Sequence, residues 1–229
     1  MEYRALFFGS IGVVSETSEL QRQAFNAAFD RLGLDWHWDR EAYARMLHIP
    51  GGRQRIAEAA DAAGMTDIVD VGAVYAIKQG AFDALVASKG APARPGVIEL
   101  MKAAKARGMK RAFVTTTSRR QVDTVFRGLR SALGRSHFDF VGERAIVDEP
   151  KPAPEIYHVA LSELGLEPEQ VLCIEDTPES AQSALEAGIR VIGFPGRAAY
   201  AREFPQGVPV VEFLSPALLT VPAARIAAE

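Results

Sequence analysis

The chain has 229 residues, 48% hydrophobic and 24% charged, with a formal net charge of -3 at pH 7. That length suits one large domain or two unequal ones. The composition is ordinary for a soluble globular protein, and no apolar run approaches the ~18 residues a membrane helix needs. The opening segment MEYRALFFGS lacks the basic and long apolar stretches of a signal peptide. The near-neutral charge offers no field for nucleic acid or an anionic membrane. The single cysteine, Cys173, excludes an internal disulfide and leads us to expect a cytoplasmic protein.

In chain order, Ala5-Leu6-Phe7-Phe8 is a short apolar run that meets Gly9, as expected of a strand covered on both faces of a parallel sheet. Similar runs recur at Ala112 to Val114, Val171 to Ile174 and Val191-Ile192. Between them lie amphipathic helices. Val97, Leu100, Met101 and Ala104 share one face, with Pro95 before it and Gly108 at its stop. Tyr157, Ala160, Leu161 and Leu164 repeat the spacing before Gly165, and a third helix should run from Thr177-Pro178 to Gly188. Strands alternating with such helices predict an α/β fold, a doubly wound, Rossmann-like parallel sheet. The stretch from Glu16 to Ala91 breaks the rhythm. Leu20, Ala24, Phe25, Ala28 and Leu32 mark one apolar helical face, and no strand pattern follows. The expected organisation is an α/β core of residues 1–15 and 92–229 with a helical cap domain, residues 16–91, inserted after the first strand.

Ligands of an open parallel sheet bind beyond the carboxyl ends of its strands. The segments that follow strands are Gly9-Ser10-Ile11-Gly12, Thr115-Thr116-Thr117-Ser118, the loop with Lys151-Pro152, and Glu175-Asp176-Thr177. Threonine hydroxyls and backbone amides at a helix start can hold phosphate oxygens, a lysine adds positive charge, and adjacent carboxylates can bind Mg²⁺.

The order and spacing of ALFFGSIGVVSETSELQRQAFNAAF, DWHWDRE, GGRQRI, FVTTTS, KPAPEIY and IEDTPESAQSALEAG resemble the haloacid-dehalogenase (HAD) superfamily. The branch is the one containing β-phosphoglucomutase and phosphoglycolate phosphatase, with most similarity to xylulose-bisphosphate phosphatases of CbbY type. The resemblance implies a first strand ending in two aspartates, a nucleophile and an acid/base. It also implies Mg²⁺ held by the first of them and by the last motif, and a phosphoryl group held by threonine and lysine. Thr115, Thr116 and Lys151 match the phosphate-binding positions, and Glu175 and Asp176 the metal-binding ones. Gln21, Gly52 and Arg53 match substrate-contacting positions of the cap, although Gln21 stands where close relatives carry histidine and Ser180 where glycine is usual.

The reacting positions depart from the family. Gly9 occupies the nucleophile position and Ile11 that of the acid/base, so no catalytic residue is assigned. Ser10 is not a substitute by strand alternation, which points it to the other face. Mg²⁺ loses a carboxylate, so its binding is expected to be weakened or lost. The expectation is a pseudophosphatase that binds phosphate or a sugar phosphate without normal turnover. The alternative is an active Mg²⁺-dependent sugar-phosphate phosphatase that uses direct water attack or another carboxylate, such as Glu16, Asp148 or Glu149. A third reading is an interaction module whose cap surface binds a protein. Lys151 also has a structural role open to it, an ion pair with Glu175 or Asp176.

Overall fold

The structure is a computed structural model that describes residues 2–220 apart from Pro50, Ser131, Ala198 and Ala201. Residues 221–229, assigned from sequence to the core, lie outside the described residues. Contacts sort the chain into two compact units, Thr17–Gly90 and the remainder on either side of it.

The α/β unit carries a five-stranded parallel sheet of β1 (Ala5–Phe8), β2 (Lys110–Phe113), β3 (Phe140–Val141), β4 (Val171–Glu175) and β5 (Arg190–Gly193), in the order β3-β2-β1-β4-β5. All four residues of β1 are buried, as a central strand with neighbours on both edges and helices on both faces requires. β4 is likewise buried throughout, and its last residue, Glu175, takes a carboxylate into the interior. The connecting helices follow the predicted spacing. Val97, Leu100, Met101 and Ala104 are the buried face of Val97–Ala106. Ile156, Tyr157, Ala160 and Leu161 are that of Glu155–Leu164, which ends on Gly165 at φ 62°, a left-handed stop that suits glycine. Thr177 caps Pro178–Glu186, its hydroxyl accepting the Ser180 N–H at 3.3 Å. Where the chain leaves and re-enters this unit, Ser15 and Ala93 form an antiparallel bridge, and the Arg94 N–H donates to the Val14 carbonyl at 2.8 Å.

The other unit is built on Ser18–Leu32, Arg40–Arg45, Gly52–Ala62 and Val71–Lys89, with no strand among its described residues. Its core packs Phe25, Phe29, Trp38, Tyr43, Ile56 and Val74. Trp38 is the hub, with its ring centroid 4.8 Å from those of both Phe25 and Phe29. Asn26 fixes it there by accepting the Trp38 N–H and donating to the Trp38 carbonyl, each at 2.9 Å. Leu32 corrects one expectation. It is 40% exposed rather than on the apolar face. The chain reverses at Gly33, where the Leu34 N–H reaches the Phe29 carbonyl at 3.0 Å, and Leu34 packs on the core instead. Among the described residues no helix is long and apolar enough to cross a membrane.

Candidate functional site

The strand order reverses at β1, which has β2 on one side and β4 on the other. Register pairs Phe8 with both Phe113 and Ile174. Beyond it the Gly9 N–H donates to the Ile174 carbonyl at 3.0 Å and the Val114 N–H to the Phe8 carbonyl at 2.8 Å. Gly9, Val114 and Glu175 therefore lie abreast at the strand ends, where an open α/β sheet presents its ligand site.

Lys151 bridges these three strand ends. Its Nζ lies 2.6 Å from the Gly9 carbonyl, 2.9 Å from the Val114 carbonyl, 2.6 Å from Glu175 Oε1 and 2.8 Å from the Tyr157 hydroxyl. The Tyr157 hydroxyl in turn donates to Glu175 Oε1 and receives the Cys173 thiol at 3.5 Å. The Lys151 side chain is 8% exposed and that of Glu175 0% exposed, which makes this a buried ion pair. Burial pushes the Glu175 carboxyl above the usual carboxylate range, and the Lys151 ammonium opposes that push. The Tyr157 hydroxyl and the Cys173 thiol are also raised, chiefly by burial, so both remain protonated at neutral pH.

Gly9 has no side chain, and the room one would need is taken. A Cβ there would overlap the Glu175 carboxyl group and come within 2.6 Å of the Tyr157 hydroxyl. Ile11, the first residue of the short helix Ile11–Val14, is buried. Ser10 precedes that helix and corrects the expectation from alternation. β1 has already ended, and the extended N-cap conformation of Ser10 (φ -156°, ψ 168°) turns its hydroxyl to Asp176 Oδ1 at 2.6 Å, while its oxygen accepts the Val13 N–H at 3.3 Å. Asp176 also sits against Gly12, where a Cβ would overlap its carboxyl group. Burial raises the Asp176 carboxyl, against the lowering effects of the Ser10 hydrogen bond and of Arg94. Arg94 is bound to the carbonyls of Gly12, Phe194 and Pro195 at 2.7–2.8 Å.

At the end of β2, Thr115 is buried. Its hydroxyl donates to Thr117 Oγ1 at 2.9 Å and accepts the Thr117 N–H at 3.1 Å, folding the loop that leads into Arg119–Gly128. Thr116 is half-buried beside it. Of the alternative carboxylates, Glu16 accepts the Arg197 N–H at 3.0 Å. Asp148 and Glu149 are exposed, with their N–H groups held by Glu155 at 3.0 and 2.7 Å.

Gln21, Gly52 and Arg53 meet in the helical unit around Tyr75 and Lys78. Gln21 Oε1 accepts from Lys78 Nζ, which also donates to Gln79 Oε1 at 2.9 Å. A Cβ at Gly52 would come within 2.9 Å of the Tyr75 ring and 3.3 Å of that of Phe25, and the Arg53 guanidinium stands 4.7 Å from the Tyr75 centroid. Lys78 is 2% exposed, and burial brings its ammonium down to about 7.

Sequence reasoning missed Ser10, Arg94, Tyr157 and Lys78 as members of these clusters. Tyr157 reads as a core position on a helical face. The available signal was its hydroxyl, which needs a partner once buried. For Lys78 the signal was a lone cation within the apolar run VYAIKQGAF.

A sequence model of the haloacid dehalogenase-like hydrolases matches residues 3–188. Protein CbbY of Cereibacter sphaeroides is 37% identical over 193 residues, 84% of each chain. The crystal structure of CbbY from Rhodobacter sphaeroides in complex with phosphate superposes with a TM-score of 0.83 at 35% identity, covering 96% of this chain and 97% of that one. A mutant of that protein in complex with xylulose-(1,5)bisphosphate superposes with a TM-score of 0.82 at 34% identity, covering 93% and 95%. The parallel α/β sheet, the order of its motifs and these matches agree, and the chain belongs to the haloacid dehalogenase-like hydrolase family, among proteins of CbbY type.

Proposed function

We infer that this member of a phosphatase family binds phosphate or a small sugar phosphate without its family's ordinary turnover. The observation that carries this reading is Gly9. The strand that should present an attacking carboxylate is followed by a residue with no side chain, and the Glu175 carboxyl and Tyr157 hydroxyl fill the space. Ile11 cannot transfer a proton. Loss of one essential member of a covalent catalytic unit lowers rate by ~10⁴–10⁶. Lys151, Thr115, Thr116 and the backbone amides at the start of Arg119–Gly128 supply the anion-binding groups. Gln21, Gly52 and Arg53 are proposed as the substrate-contacting residues of the helical unit. The single cysteine accords with a cytoplasmic setting.

Phosphatases of this family generally use Mg²⁺, which requires near-octahedral oxygen ligands. The groups at the strand ends do not fit that ion well. Position 9 offers no carboxylate, Glu175 Oε1 is bound by Lys151 and Tyr157, and Asp176 Oδ1 by Ser10. Among the described residues no three acidic, histidine or cysteine side chains converge on a metal position. We propose that binding does not depend on Mg²⁺, because position 9 offers that ion no carboxylate.

Titration calorimetry with inorganic phosphate and with xylulose 1,5-bisphosphate, in EDTA and in Mg²⁺, tests the reading. Binding should persist in EDTA, should weaken by about tenfold or more in folded Lys151→Met, and should be accompanied by no steady-state phosphate release. A wild type that binds neither compound, or that releases phosphate briskly, overturns it. The carboxylates of Glu175 and Asp176 at the strand ends favour the second reading, an active phosphatase. Mg²⁺-dependent release abolished by Asp176→Ala would establish it.

A further inference from the structure

The anion site carries its own anion. The Lys151 ammonium has three protons and is surrounded by four protein oxygens, those of Gly9, Val114, Glu175 and Tyr157, all within 2.9 Å. Of these only Glu175 is charged, and its carboxyl group stands in the volume that a side chain at position 9 would need. Its second oxygen, Oε2, is buried with no hydrogen-bond partner among the described residues. A carboxylate with one oxygen doubly engaged, and the other without a partner among the described residues, is held by Lys151 and Tyr157. It can be exchanged for another anion that brings more oxygens to the same ammonium.

We propose that replacement of a side chain by Gly9 lets Glu175, latched by Tyr157, occupy Lys151 as an internal competitor, so that external phosphate binds only by displacing the Glu175 carboxylate. The proposal rests on the phosphate-binding reading and adds its regulation. The latch sets a threshold: a ligand with several phosphate oxygens and further contacts displaces Glu175 more readily than a simple monoanion does. Position 9 and Glu175 then form a coupled pair, in which added bulk at one must move the other.

The test is calorimetry with inorganic phosphate in EDTA on wild type, Glu175→Gln and Gly9→Ala, with circular dichroism to confirm folding. Glu175→Gln keeps an oxygen near Lys151 but removes the competing charge. Gly9→Ala keeps the charge but forces the carboxyl group aside. Both should bind phosphate about tenfold or more tightly than wild type, and Tyr157→Phe should shift affinity in the same direction by less. A folded Glu175→Gln with unchanged affinity overturns the proposal, and so does unchanged affinity in Gly9→Ala should Glu175→Gln fail to fold. Wild-type binding with unaltered variants sinks the latch alone, whereas no binding by any of the proteins sinks the phosphate-binding reading as well.

Discussion

Two lysines show how neighbours decide what a charged residue does. Lys151 and Lys78 are both withdrawn from water, but Lys151 faces a carboxylate whereas Lys78 donates to the amide oxygens of Gln21 and Gln79. The rings of Phe25, Phe82 and Tyr75 lie 4.8, 5.2 and 5.9 Å from Lys78 Nζ and return part of the lost hydration as cation–π attraction. Desolvation outweighs it, helped by Arg55 and opposed by Asp83, and the ammonium titrates at about 7 instead of 10.5. Between those two values the unfolded chain holds one more proton than the folded one, so stability rises with pH across that window. Below about 7 both states are protonated, and the penalty is constant and at its largest. Urea unfolding of wild type at pH ~7 and pH ~9 should therefore show a gain at the higher pH that Lys78→Met lacks. Equal pH dependence in the two proteins would mean that Lys78 is not buried as an isolated amine.

At the scale of elements, the helical unit depends on one aromatic hub. Trp38 lies outside the helices, yet it meets Phe25 at a tilt and Phe29 edge-on in Ser18–Leu32 and stacks on Tyr43 of Arg40–Arg45, at a centroid distance of 6.2 Å from the latter. Its backbone closes a pair of hydrogen bonds with Asn26, and its carbonyl also receives Arg22 at 2.7 Å. Trp38→Ala should destabilise the protein by about 3–5 kcal/mol, the usual range for deleting a large buried aromatic side chain, measured by urea denaturation. Trp36, two residues earlier and only partly buried, should cost less when truncated. In the α/β unit the parallel register does comparable work. Because Phe8 pairs with Ile174, Gly9 and Glu175 fall at the same level, and a one-residue slip would remove Glu175 from Gly9.

For the whole molecule, the α/β framework is that of the family while positions 9 and 11 carry glycine and isoleucine, and the proposed loss of turnover invites a test by reversal. Replacing Gly9 and Ile11 together by aspartate should lower stability by roughly 1–3 kcal/mol, since one carboxylate enters occupied space and the other a buried apolar position. The shift of the urea midpoint would measure it. Phosphate release by this variant above that of wild type would show the rest of the site to be competent. Release no faster than in wild type would count against the proposal that Gly9 and Ile11 deprive the site of turnover.

Local pattern alone determined much of this protein. β1, the buried faces of Val97–Ala106 and Glu155–Leu164, and the capped start of Pro178–Glu186 were legible because strand and helix periodicities, glycine stops and capping residues act within a few positions of one another. The order of the motifs identified the family, and the absence of side-chain chemistry at Gly9 needed no coordinates. Only the tertiary structure decided what fills that gap and which groups meet around it. Ser10 and Asp176 are 166 positions apart, Lys78 and Gln21 57, and Lys151 and Glu175 24. Such encounters depend on sheet register and on side-chain packing, and on the rule that a buried charge must find a partner, none of which a linear pattern encodes.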